Sequence, residues 1–252
     1  MKIDFGLPHQ IPKLKALWQA AFGDDEAFID GFFETAYAPA RCRCVTVGDA
    51  VAAALYWFDV TCEGQRMAYI YAVATSPEHR GKGLCRALMA DTHAHLALRS
   101  YKGVLLVPEG DALRRMYAGF GYESCTTIRE FVCAAGDTPA PMHRIDREEF
   151  ARRRQSLAPA GTVLQEEENL RYLERQAAFY TGMGFLAAVH QEGEAVFCPE
   201  ILGNPDMAPQ LLRSLGASYG TFRCPGTGED FAMFLPLCET ALRPTHFAFA
   251  FD

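Results

Sequence analysis

The run Tyr69-Ile70-Tyr71-Ala72-Val73-Ala74-Thr75-Ser76-Pro77-Glu78-His79-Arg80-Gly81-Lys82-Gly83-Leu84-Cys85 constrains the fold of this chain more than any other segment. Its opening residues are β-branched, aromatic or small, as a strand requires, and Ser-Pro followed by Gly-x-Gly ends that strand in a tight turn. A helix is predicted over 83–99. Leu84, Leu88, Asp91 and His95 fall on its successive turns, and Ala87, Ala90 and Ala94 favour the helical state. The first backbone N–H groups of a helix have no internal acceptor, and the helix dipole makes that end attractive to anions. Gly81 and Gly83 leave those donors uncovered by any Cβ. Arg80 and Lys82 add positive charge at the same point, and Arg86 lies one turn further on. The segment reads as a strand, a phosphate-sized cradle and a helix.

The neighbouring segments extend this into a mixed sheet. Leu14, Leu17, Trp18, Ala21 and Phe22 recur at helical spacing, and Phe28, Ile29, Phe32 and Phe33 form a second apolar helical face. Strands are predicted at 43–47, 51–60 and 65–75, separated by turn signals, so they form an antiparallel meander. After the helix come a strand at 103–107, a short helix at 112–118 and a further strand. The expected fold is α/β: a mixed, mostly antiparallel sheet flanked by helices. The stretch 134–141, with two prolines and a glycine, reads as a linker dividing a domain at 1–135 from a smaller α+β domain at 142–252. In that second part, helices are predicted at 146–155, around 166–179 and at 208–215, with strands at 185–190, 194–201, 231–235 and 247–251. The segment 222–230 reads as an exposed turn despite its glycines.

Composition narrows the function classes. The 252 residues carry a net charge of −7, and the longest basic run, Arg152-Arg153-Arg154, lies among acids, so the electrostatic footprint of a nucleic-acid binder is absent. Neither a signal peptide nor a stretch long enough to span a bilayer is evident, and a cytoplasmic location with no membrane partner is expected. The nine cysteines show no C-x-x-C pair and the seven histidines no ligand spacing. No metal is expected, and the thiols read as reduced packing residues.

With the turn and the following helix in view, the chain resembles the GCN5-related N-acetyltransferase (GNAT) family, whose pyrophosphate-binding motif is Arg/Gln-x-x-Gly-x-Gly/Ala between a strand and a long helix. Arg80, Gly83 and Cys85 stand at the three defined places, with Cys85 departing from the last. A second block, Val104-Leu105-Leu106-Val107-Pro108 and then Leu113-Arg114-Arg115-Met116-Tyr117-Ala118-Gly119-Phe120-Gly121-Tyr122, is similar to the family's next strand and helix. It places Tyr117 at the family's tyrosine. The resemblance covers residues 40–131.

It implies acetyl-CoA as co-substrate, held by Arg80, Gly81, Lys82, Gly83, Leu84 and Cys85, with backbone groups of Val73 and Thr75 pairing with the pantetheine arm. It also implies that Tyr117 donates a proton or hydrogen bond to the leaving thiolate. The acceptor would be a primary amine of a small molecule or peptide, attacking the thioester directly. For the general base, Asp59, Glu63 and His79 are neighbours in sequence without a motif behind them. Cys85, at a helix N-terminus beside two cations, has the setting for a lowered thiol pKa.

Tandem acetyltransferases of the enhanced-intracellular-survival type resemble this chain in having a carboxy-terminal extra domain, and there the terminal carboxylate reaches the active site. The apolar end Thr245-His246-Phe247-Ala248-Phe249-Ala250-Phe251-Asp252 therefore makes Asp252 a candidate catalytic group, beside the plain reading of an edge strand. The second domain admits a reduced GNAT copy, and an oligomer is compatible with the sequence. Two other functions stay open: a non-catalytic acyl-CoA-binding or regulatory protein, and an aminoacyltransferase of the tandem type.

Overall fold

The computed structural model describes residues 1–165 and 167–250. In chain order the elements are β1 (Lys2–Phe5), α1 (Ile11–Phe22), α2 (Glu26–Thr35), β2 (Cys42–Val47), β3 (Ala50–Cys62), β4 (Gln65–Thr75), α3 (Leu84–Leu98), β5 (Gly103–Leu106), α4 (Gly110–Ala118), β6 (Glu123–Ser124), β7 (Thr127–Ala134), β8 (Met142–Ile145), α5 (Arg147–Leu157), β9 (Val163–Gln165), α6 (Glu168–Leu173), β10 (Ala178–Gly182), β11 (Phe185–Glu192), β12 (Ala195–Gly203), α7 (Ala208–Leu215), β13 (Tyr219–Pro225), β14 (Glu229–Asp230) and β15 (Met233–Pro236). They group into two compact units, one of Met1–Glu123 with Phe234–Leu242, the other of Ser124–Met233 with the chain from Arg243 onward.

The sheet of the first unit runs β1-β2-β3-β4-β5-β15-β6. The strands β2, β3 and β4 form the expected antiparallel meander, and β5 returns parallel to β4 through α3. A parallel return needs a crossover element, which α3 supplies. Its buried residues Leu84, Leu88, Thr92 and Leu96 recur every fourth position, so one stripe of the helix faces the sheet. On α1, Leu14, Leu17 and Trp18 are buried at the same kind of spacing, and Gly23 ends the helix in the left-handed conformation. The α2 helix is capped by the Asp25 carboxylate, which accepts from Phe28 N–H at 2.7 Å. Trp18, Phe32 and Tyr56 pack with centroids 4.9–5.4 Å apart and make the aromatic core between these helices and β3. At Gly103 the backbone approaches Phe234 so closely that an added Cβ would lie 2.1 Å from the ring.

The sheet of the second unit runs β14-β7-β13-β12-β11-β10-β8. Only β12 and β13 are parallel in it, joined by α7, so this unit repeats in brief the strand-helix-strand unit of the first. The buried face of α7, Leu211 and Leu212, packs with Val196, Ile201 and Phe222. The proline-containing stretch 135–141 joins β7 to β8, two strands of this same sheet.

Several sequence expectations are corrected here. Residues 222–225 are not an exposed turn; they end β13, a strand paired on both sides, with Phe222 fully buried. The helix expected around 166–179 is reduced to α6, because Phe179 and Thr181 belong to β10 and bury between β8 and β11. In the run 247–251, residues 247–250 form no strand, although Phe247, Ala248 and Phe249 are fully buried. Just before the run, Thr162 and His246 form an isolated parallel bridge with Val163 N–H donating to His246 O at 2.9 Å, and within it Phe249 O accepts from Gln165 Nε2 at 2.8 Å. The first strand, Lys2–Phe5, was not foreseen; it pairs antiparallel with β2.

Candidate active site

The strand β4 carries the first part of the site. Its pairing with β5 ends at Tyr69 and Leu105, so beyond that point β4 has β3 alone as a ladder partner. Between Tyr71 and Ala74 the register against β3 shifts, and Ala72 takes φ +48°. A positive φ at a residue with a Cβ marks a locally strained bulge, of the kind concentrated at functional sites. Ser76 N–H donates across to Ala52 O at 2.9 Å. Alternation along the strand then turns the backbone groups of Thr75 and Val73 to the opposite edge, the one β5 has left.

The turn that follows is built from local bonds. Ser76 Oγ lies 2.9 Å from Glu78 Oε2 and 2.8 Å from His79 Nδ1, Arg80 Nε donates to Thr75 O at 3.2 Å, and Lys82 Nζ donates to Glu78 O at 2.8 Å. Gly81 and Gly83 have φ +74° and +75°, and a Cβ added to either meets nothing within 4 Å. These glycines are therefore required by backbone conformation and face open space. The first intrahelical bond of α3 is Ala87 N–H to Gly83 O at 3.0 Å, so the N–H groups of Leu84, Cys85 and Arg86 precede the helical ladder. The Leu84 side chain is buried, so only its backbone is available at this surface. Arg86 donates to Gly119 O at 3.2 Å and lies over the Phe120 ring at 4.5 Å. Three cations thus surround the helix start.

Tyr117, near the end of α4, is 6% exposed, and its hydroxyl makes no hydrogen bond among the described residues. Burial pushes its phenol above the ordinary tyrosine value, and the neighbouring Cys85 thiol adds to the rise. The bond from Arg86, in the first turn of α3, to Gly119 O brings the second motif onto the first. The Cys85 thiol is itself raised by burial, against a lowering influence from Arg86, so the expected lowered pKa is corrected: desolvation outweighs the cations.

The candidates for a base separate. Asp59 is level with Ala68, where the β4–β5 pairing is intact, and it accepts hydrogen bonds from the Tyr101 hydroxyl and from Arg66 Nη2 at 3.0 Å. Glu63 lies at the hairpin before β4, and the ten residue steps of β4 from Gln65 to Thr75 make roughly 33 Å of strand. His79 flanks the cradle. Asp252 lies outside the described residues. Among the described residues no group of three or more His, Cys, Asp or Glu side chains is placed to hold a metal ion, and no helix is long and apolar enough to cross a membrane.

One polar pair near Tyr117 was not foreseen. Cys85, Met89 and His93 follow one stripe of α3, and His93 Nε2 lies 2.7 Å from the hydroxyl of Tyr122, which is 1% exposed. The four-residue spacing from Cys85 was legible, but not the partner.

Residues 7–125 match the acetyltransferase (GNAT) domain family. The match covers a little under half of the chain, and the chain has a GNAT-type fold. No curated protein matches the chain by sequence. In structure the chain is similar to a GCN5-related N-acetyltransferase from Anabaena variabilis ATCC 29413, with TM-score 0.73 and 17% identity over 94% of this chain and 73% of that one. It is similar to Eis1 from Mycobacterium abscessus, with TM-score 0.69 and 12% identity over 94% and 74%. A tandem GNAT protein from the clavulanic acid biosynthesis pathway aligns with TM-score 0.59 and 11% identity over 95% and 99%. At these identities the likeness is one of fold, and it extends beyond the GNAT domain to most of the chain.

Proposed function

We propose that this chain is an N-acyltransferase that moves an acetyl group from acetyl-CoA to a primary amine of a small molecule or peptide by direct attack. The observation that carries the reading is the edge of β4: beyond Tyr69 the backbone groups of Val73 and Thr75 turn away from β3, immediately before an open cradle at Gly81 and Gly83. An extended arm with amide groups fits such an edge, and a pyrophosphate fits the N–H groups of Leu84, Cys85 and Arg86 with Arg80 and Lys82 beside them. In the reaction the amine nitrogen bonds to the thioester carbon and the carbon–sulfur bond breaks. The amine's proton passes to solvent or a base, and the Tyr117 hydroxyl stabilises the leaving thiolate. Asp252 remains a candidate for that base.

A second reading is a non-catalytic acyl-CoA-binding protein. It is favoured by the engagement of Asp59 with Tyr101 and Arg66 and by the distance of Glu63 along its strand. Incubation with acetyl-CoA and a panel of polyamines, aminoglycosides, amino acids and peptides separates the two, with free thiol as the readout. Thiol release dependent on one amine supports the enzyme. Tight acetyl-CoA binding with no release on any of them overturns it in favour of the binder. Transfer to an amine with aminoacyl-tRNA as donor in place of acetyl-CoA, read as deacylated tRNA because that ester carries no thiol, would point to the tandem aminoacyltransferase.

A further inference from the structure

We propose that His93 and Tyr122 are positioning residues for Tyr117: the hydrogen bond between them fixes the ring against which Tyr117 stands, and so sets where the Tyr117 hydroxyl points. The inference rests on the role proposed above for Tyr117.

Tyr117 and Tyr122 are joined by a closed turn, in which Phe120 N–H and Tyr122 N–H both donate to Tyr117 O, at 2.9 and 3.1 Å. The Tyr117 ring is met edge-on from two sides, by Phe120 at 6.0 Å and 84° and by Tyr122 at 5.9 Å and 66°. Edge-to-face packing sets one ring by the other, so the orientation of Tyr117 follows how the Tyr122 ring is itself held. On the Tyr122 side the anchor is His93, whose ring centroid is 5.5 Å from that of Tyr122 and whose Nε2 is 2.7 Å from its hydroxyl. Burial lowers the His93 imidazole to about 4, so at neutral pH the ring is uncharged, and the bond joins a neutral Nε2 to the Tyr122 hydroxyl, its direction set by the tautomer. The bond is buried, and opening it would strand the hydroxyl of a residue with almost no exposure. Because α3 carries both Cys85 at the cradle and His93 two turns below, the pair ties the wall behind Tyr117 to the helix whose first turn is assigned to the pyrophosphate.

The test uses three variants of the full chain: Tyr122→Phe removes the hydroxyl and keeps the ring, His93→Leu removes the imidazole, and His93→Gln offers an amide in its place. Protein labelled with 3-fluorotyrosine is followed by fluorine NMR, with the Tyr117 resonance assigned by its loss in Tyr117→Phe. Y122F and H93L are expected to shift or broaden that resonance, and H93Q to return it towards the wild-type position. In turnover, Y122F and H93L should lower kcat about tenfold with the KM for acetyl-CoA within about twofold, because a small misplacement at the reacting group acts on the chemical step rather than on binding. A Tyr117 resonance unmoved in both Y122F and H93L overturns the inference. Wild-type protein without turnover on any amine overturns the acyltransferase reading instead, and the fluorine spectra then still decide whether the pair positions Tyr117.

Discussion

Arg154 meets Glu200 through two hydrogen bonds, Nε to Oε2 at 2.6 Å and Nη2 to Oε1 at 3.0 Å, with each side chain only 1% exposed. His246 Nε2 lies 3.1 Å from the same Oε1, and Arg154 also donates to Val163 O at 3.2 Å. Removing one partner of a buried pair leaves an uncompensated charge, so Arg154→Met should cost about 3–5 kcal/mol, whereas Arg154→Met with Glu200→Leu should recover much of that. Burial by itself would raise the Glu200 pKa, but the Arg154 charge and the bonds from His246 and Arg154 overcome it and hold the group at about 2. A carboxylate depressed on folding stabilises fully above its ordinary value of 4.5, and the contribution fades as pH falls from there through about 2. Urea melts through this window should show the loss in wild type and a flatter dependence in R154M. An equal slope in both would remove Glu200 as its source.

Gly83 and Gly103 are both indispensable on paper, for opposite reasons. Gly83 has φ +75° with open space around it, whereas Gly103 has the Phe234 ring at 2.1 Å from an added Cβ. Gly83→Ala should therefore cost about 1–2 kcal/mol through the left-handed backbone and raise the KM for acetyl-CoA by obstructing the cradle. Gly103→Ala should cost about 1–3 kcal/mol by overpacking, with the KM of the folded fraction unchanged. Melting curves and acetyl-CoA titrations on both variants check the contrast; a raised KM in G103A alone would reverse the assignment.

The first unit was largely legible because its signals are local. The strand 65–75 and the helix from Leu84 follow from period and turn residues alone, and the two motifs of the cradle and Tyr117 lie within 50 residues of each other. What stayed hidden depends on contacts remote in sequence. The strand β15 joins the first sheet next to β5, and β13 is central only because β7 and β12 flank it, a fact its Arg-Cys-Pro-Gly end conceals. At the site, the Cys85 position announced two nearby cations but not its burial, and the second of these decides the direction of its pKa.

Cysteine reactivity offers a direct check of that reversal. Both thiols are half-buried, but Cys85 is raised by desolvation, whereas Cys238 is lowered by its hydrogen bond with Thr240, whose Oγ1 lies 3.4 Å from the sulfur. Since the thiolate is the reactive form, iodoacetamide at neutral pH should label Cys238 well before Cys85. Peptide mapping over a time course measures the order. Cys85 labelled first would restore the activated thiol that its neighbours in sequence suggest.

Tyr117 is the residue to which the proposed reaction assigns the leaving thiolate, and its burial makes a specific claim about how it would act. A phenol held above the ordinary value of 10.0 lies well above a thiol near 8.5, so it keeps its proton beside a leaving thiolate and stabilises the sulfur by donating a hydrogen bond. Tyr117→Phe should then lower kcat about a hundredfold with the KM for acetyl-CoA nearly unchanged, the pattern of an interaction made mainly in the transition state. In wild type the kcat profile should show no alkaline limb from this residue below pH of about 10, because the folded-state phenol remains protonated there. A limb centred between about 8 and 10 that disappears in Y117F would mean that Tyr117 ionises in the thiol range and delivers its proton outright.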